Sequence, residues 1–86
     1  MKILFNPIDG EIFYAVKESD FPFFTHSTNI DLSVGELSET DETLRQIRSD
    51  LYLTVGRKDA QGQGKYYVEK GEIIEREKWE EKEIGV

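Results

Sequence analysis

The chain has no cysteine, and only one histidine, one tryptophan and two prolines. Without cysteine, neither a disulfide framework nor a thiolate metal centre can compensate for a small core. Long apolar runs are missing as well. Met1-Lys2 is followed by three apolar residues before Asn6-Pro7, far short of a secretory core. No stretch approaches the roughly 20 apolar residues of a membrane span. Basic charge is also scarce: 11 Lys and Arg stand against 18 Asp and Glu, a net charge of −7. That balance repels phosphate backbones and anionic membranes, so neither direct nucleic-acid binding nor membrane binding is expected. An acidic chain can instead dock on a basic protein partner.

The 86 residues make one small domain, 1–86. A domain of this size buries only about 60–65% of the surface exposed by its unfolded chain, so a partner or a second copy would add needed burial.

Two apolar runs, residues 2–5 and 11–16, carry Ile3, Leu4, Phe5, Ile12, Phe13, Tyr14 and Val16 around Asn6-Pro7-Ile8-Asp9-Gly10. Turn residues between β-branched and aromatic runs predict an N-terminal hairpin. Pro22 makes residues 18–32 an edge strand or an extended loop, with Phe21, Phe23 and Phe24 pinned against the sheet. A helix is predicted within residues 38–51, centred on about 40–50. Ser38 or Thr40 would cap it, Glu39, Asp41 and Glu42 would favour its first turn, and Leu44, Ile47 and Leu51 form its apolar stripe. Residues 51–55, 65–70 and 71–77 read as further strands. The expectation is a small β-rich α+β domain, an antiparallel sheet of four to five strands with one short helix. Residues 80–86 are expected to fray as a tail.

The stretch DAQGQGKYYVEK, residues 59–70, looks most like a chemical site. As a calcium loop it would place Asp59, Gln61, Gln63 and Gly64 at positions 1, 3, 5 and 6, but Lys70 stands where a bidentate glutamate is needed. As a phosphate loop it has Asp59 in place of the first glycine and Tyr66 in place of Ser or Thr. The stretch is therefore expected to reverse the chain and coordinate nothing.

His26 could pair with Ser27 or Ser33 and Asp31, but no G-x-S-x-G elbow accompanies it, and nothing supplies further ligands for a metal. No catalytic, cofactor or metal residue is assigned, and the chain is not expected to be an enzyme. The aromatics Phe21, Phe23, Phe24, Tyr66, Tyr67 and Trp79 are the candidate interface. Glu69, Glu72, Glu75, Glu77, Glu80 and Glu81, interleaved with Lys70, Arg76, Lys78 and Lys82, are the candidate acidic face.

The patterns K-I-L-x-N-P-x-x-G-E-I-x-Y-A-V (2–16), T-H-x-T-N-I-x-L (25–32) and D-x-x-G-x-G-K-Y-Y with a downstream W-E-E resemble small uncharacterised proteins of tailed bacteriophages and prophages of Gram-positive bacteria. The opening hairpin is also similar to that of phage tail-fibre assembly proteins. The resemblance covers most of the chain and implies no catalytic residue. It leads to the expectation of a non-enzymatic protein–protein interaction module. Such a module would be an accessory of tail or virion assembly, located in the host cytoplasm or the virion. The alternative is an acidic inhibitor that mimics phosphate toward a host nucleic-acid or defence enzyme.

Overall fold

The computed structural model describes residues 1–38 and 40–82. The hairpin forms as expected: β1 (Lys2–Phe5) and β2 (Ile12–Val16) pair antiparallel around a turn at Asn6–Gly10. The turn is closed by Asn6 and Asp9. Asn6 Oδ1 accepts from the Ile8 amide at 3.0 Å and Asp9 Oδ1 from the Glu11 amide at 2.9 Å. Leu4 faces Tyr14 but Phe5 faces Ile12, so Phe13 is the extra residue of a bulge. The bulge keeps Ile12 and Ala15 on one face with Ile3 and Phe5, although their spacing in sequence is odd.

A short 3-10 turn (Phe21–Phe23) follows, then β3 (Ser33–Glu36), which lies on the other side of β1 to give the order β2-β1-β3. The helix α1 spans Glu42–Thr54, and β4 (Tyr66–Glu69) with β5 (Glu72–Glu75) forms a second antiparallel pair. The α+β class and the strand count are those expected, but the five strands divide into sheets of three and two. Among the described residues the two sheets meet at one bridge, Glu11 opposite Tyr67, reinforced by the Val68 amide donating to Gly10 O at 2.8 Å.

Three boundaries differ from the sequence reading. Residues 51–55 are not a strand. Leu51 and Val55 continue the Leu44, Ile47 stripe by one more helical repeat, and the Thr54 hydroxyl donates back to Asp50 O at 2.7 Å, which keeps a β-branched residue in the last turn. The helix cap is Asp41 rather than Ser38 or Thr40. Its carboxylate accepts from the Thr43 amide at 2.8 Å and the Leu44 amide at 3.4 Å, while the Ser38 and Thr40 hydroxyls bond each other at 2.8 Å. A cap of this kind contributes about 1 kcal/mol. The third strand comes from residues 33–36, a stretch with little β propensity, while residues 18–32 take the loop alternative expected for them, with a 3-10 turn at Phe21–Phe23.

Met1, Ile3, Ile12, Leu37, Leu51 and Tyr66 form the buried core, with Leu44, Ile47, Val55, Val68 and Ile73 packed around them. One cluster thus joins the inner face of the first sheet, the stripe of α1 and one face of the β4–β5 pair. On the opposite face of the first sheet Leu4 and Val16 are buried too. There the loop after β2 crosses, with Phe24 set edge-on to Tyr14 at 5.2 Å and the Tyr14 hydroxyl 3.0 Å from the Thr28 hydroxyl. Residues 80–82 lie beside Lys58, whose carbonyl accepts from the Lys82 amide at 2.8 Å. The rest of the expected tail, from 83 onward, falls outside the described residues, as does Glu39.

Candidate interaction surface

The loop that resembles a ligand site satisfies its backbone amides within the chain. Asp59 Oδ1 accepts from the amides of Gln61 at 3.0 Å and Gln63 at 2.8 Å, and Asp59 O accepts from Gly62 at 3.0 Å. The next amide, that of Gly64, donates to Glu11 Oε1. Every backbone N–H from Gln61 to Gly64 therefore has an acceptor within the chain, and the carboxylate best placed for a cation is used as a turn cap. Among the described residues no three His, Cys, Asp or Glu side chains gather as a metal site would require.

Glu11 is the residue that sequence reading missed. Its side chain is only 12% exposed and meets two cations, Lys58 Nζ at 3.2 Å and Arg76 at 3.1 Å. Arg76 also donates through Nε to Gly64 O at 2.9 Å and lies over the Tyr67 ring, 4.4 Å from its centroid. A lone buried carboxylate is costly, but two cations and an amide satisfy this one. The result is a clamp: β2, the 56–64 loop and the end of β5 are all held at one carboxylate. Its partners lie 47, 53 and 65 residues away in sequence, so no local pattern marks them.

The six candidate interface aromatics do not form one surface. Tyr66 is buried in the core, where its hydroxyl reaches Asp50 Oδ2 at 3.4 Å; burial, with Glu75 and Asp50 nearby, pushes its ionisation well above the ordinary tyrosine range. Tyr67 lies under Arg76, and Trp79 donates its indole N–H to Gln63 O at 2.9 Å, bracing the loop. Phe21 and Phe24 belong to the covering of the first sheet, with Lys2 Nζ 6.0 Å from the Phe21 ring and the His26 ring beside Tyr14 and Phe24. Phe23 alone of the six stands out, 86% exposed.

Nor do the six carboxylates make one uncompensated face. Glu75 is 3.6 Å from Lys65 and Glu81 is 3.8 Å from Arg57. Glu69 and Glu72 face each other at the tip of the β4–β5 hairpin, and Glu77 and Glu80 are exposed among Lys78 and Lys82.

A partly apolar concavity lies elsewhere, between residues 17–19 and the outer side of α1. It is a cleft of about 530 Å³ bounded by Lys17, Glu18, Arg48, Tyr52 and Leu53, with Met1 at its floor. Tyr52 is 52% and Leu53 is 62% exposed. They project here because the helix continues to Thr54 and the stripe Leu44, Ile47, Leu51, Val55 faces the core, which turns positions 52 and 53 away. Read as a strand, the same residues would have been assigned to the sheet; a helical wheel carried four residues further would have exposed them. Beside the cleft, Lys2 lies between Glu36 at 3.2 Å and Glu18 at 4.0 Å. A hydrogen bond shared with Glu36 raises the Glu18 pKa above the usual carboxylate range, while the same bond, with Lys2, lowers that of Glu36.

No family model, no curated protein and no solved structure matches this chain.

Proposed function

We propose that the chain is a non-enzymatic protein–protein interaction module whose principal docking site is the cleft beside α1. The observation that carries this reading is the pair Tyr52 and Leu53, two large apolar side chains held in solvent on a rigid helix at the mouth of a cleft. Aromatic and aliphatic anchors on rigid elements cost little side-chain entropy on binding, which is why they concentrate binding energy. Phe23, 86% exposed, stands on the turn that follows residues 17–19 in the chain. The occupant is an apolar side chain of a protein partner, with Lys17, Glu18 and Arg48 as the polar rim. The resemblance to small phage and prophage proteins gives tail or virion assembly as the setting. The phosphate-mimic reading draws less from the geometry, because Glu75 and Glu81 are already matched by Lys65 and Arg57.

A photo-cross-linking amino acid at position 53, in cells that use the protein, is expected to trap one partner in a discrete adduct. The same probe at Ile8, almost fully exposed on the hairpin turn, is expected to give none. Tyr52→Ser should remove the adduct while changing unfolding stability by less than about 0.5–1 kcal/mol, as an exposed side chain would. Equal adducts from positions 53 and 8, or none from 53, would contradict the assignment.

A further inference from the structure

The open margin of the three-stranded sheet carries a second inference, independent of the cleft. Met1 and Leu37 exchange both of their backbone bonds: the Leu37 amide donates to Met1 O at 3.0 Å and the Met1 nitrogen to Leu37 O at 3.2 Å. In an antiparallel ladder such pairs alternate with pairs that exchange none. The register Lys2↔Glu36, Ile3↔Gly35, Leu4↔Val34, Phe5↔Ser33 therefore assigns the bonded positions to Gly35 and Ser33. Val34 and Glu36 direct their N–H and C=O groups away from β1, and no turn, loop or side-chain hydrogen bond among the described residues ends on those four groups.

The other side of the sheet is different. The margin of β2 runs on into the Glu11–Tyr67 bridge, which ties it to the β4–β5 pair. β3 is short and carries one charge, Glu36, which is paired with Lys2 at 3.2 Å, but it has no proline, no lysine and no bulge, and Val34 is 53% exposed.

We propose that β3 pairs antiparallel with β3 of a second copy about a two-fold axis at Gly35, making one six-stranded sheet. The segment Ser33-Val34-Gly35-Glu36 is self-complementary in that register alone. Val34 of each copy faces Glu36 of the other, so all four outward groups on each side find partners. Gly35 meets Gly35 at the non-bonded position, where strands approach most closely and no side chain intervenes. A shift by one pair would set Glu36 against Glu36 or Val34 against Val34, which leaves groups unmatched and, in the first case, opposes like charges. The occupant is thus a second copy rather than an unrelated strand. Two copies, each carrying −7, also repel each other overall, and salt screens that repulsion without weakening backbone bonds.

Sedimentation equilibrium is expected to show a reversible species of twice the 10.0 kDa chain mass that strengthens as salt rises. Val34→Lys, at a half-exposed position, should return it to monomer, whereas Leu53→Ser should leave it intact and so separates this edge from the docking cleft. Because the chain has no cysteine, Val34→Cys and Glu36→Cys can be mixed and oxidised. The disulfide expected is between the unlike variants, since bonded pairs bring their Cα atoms to about 5.5 Å, within reach of a disulfide. A monomer at every concentration, a dimer abolished by Leu53→Ser, or a preference for disulfides between like variants would overturn the proposal.

Discussion

Replacing Glu11 with alanine is expected to destabilise the fold by about 3–5 kcal/mol, the usual cost of removing one partner from a buried ion pair. The reasoning turns on what remains. Lys58 and Arg76 would keep their charges near a cavity that no longer contains an anion, and the Gly64 amide would lose its acceptor. Domains of this kind are stable by only about 5–15 kcal/mol, so the loss is a large part of the total. Glu11→Gln keeps the shape and the acceptor for Gly64 while removing the charge, and a smaller loss is expected. Urea denaturation with a Glu77→Gln control separates the effect from net charge, since Glu77 is exposed and its replacement should shift stability by less than about 0.5 kcal/mol. An Glu11→Ala midpoint close to that of the control would remove the clamp from this account.

The second large effect is expected at Gly10. Its φ is +77°, and a Cβ there would stand 2.0 Å from the carbonyl oxygen of Val68, which belongs to backbone and cannot rotate aside. Gly10→Ala therefore combines the left-handed penalty of about 1–2 kcal/mol with displacement of the strand that joins the two sheets. Gly62 supplies the comparison. Its φ is +78°, but a Cβ would meet nothing within 4 Å. Gly62→Ala should thus cost only the backbone penalty, about 1–2 kcal/mol, and Gly10→Ala clearly more. Thermal unfolding of the two variants side by side measures the difference. Equal losses would mean that β4 can give way at Val68 and that the junction is soft.

Local rules made the hairpin and the helix readable. Asn6, Asp9 and Gly10 act through their own backbone, and Leu44, Ile47 and Leu51 mark the helix by their spacing, so both signals lie within a few residues. The 51–55 stretch misled because Tyr52, Thr54 and Val55 favour strands, yet burial of Leu51 and Val55 on the stripe of α1 outweighs that preference. The strand at 33–36 was hidden for the opposite reason: its own residues say little, and pairing with β1 creates it. The candidate interface fared similarly. Aromatic content alone could not tell Tyr66, which closes the core, from Phe23, which stands in water. Tyr52 and Leu53 became visible as a surface only once the helix was known to include them. Glu11 was beyond local reading altogether, since its meaning depends on Lys58, Gly64 and Arg76, brought to it by the fold.

Native-state hydrogen exchange at the Gly64 amide tests the clamp most directly. The loop lies at the surface, where an amide held by nothing exchanges within seconds to minutes, whereas one that opens only with the whole molecule exchanges at the rate set by global unfolding. Protection of Gly64 close to that of core amides in β1, and lost in Glu11→Ala, which removes the acceptor, is the predicted result. Fast exchange at Gly64 in the unaltered protein would mean that the carboxylate of Glu11 does not hold the loop.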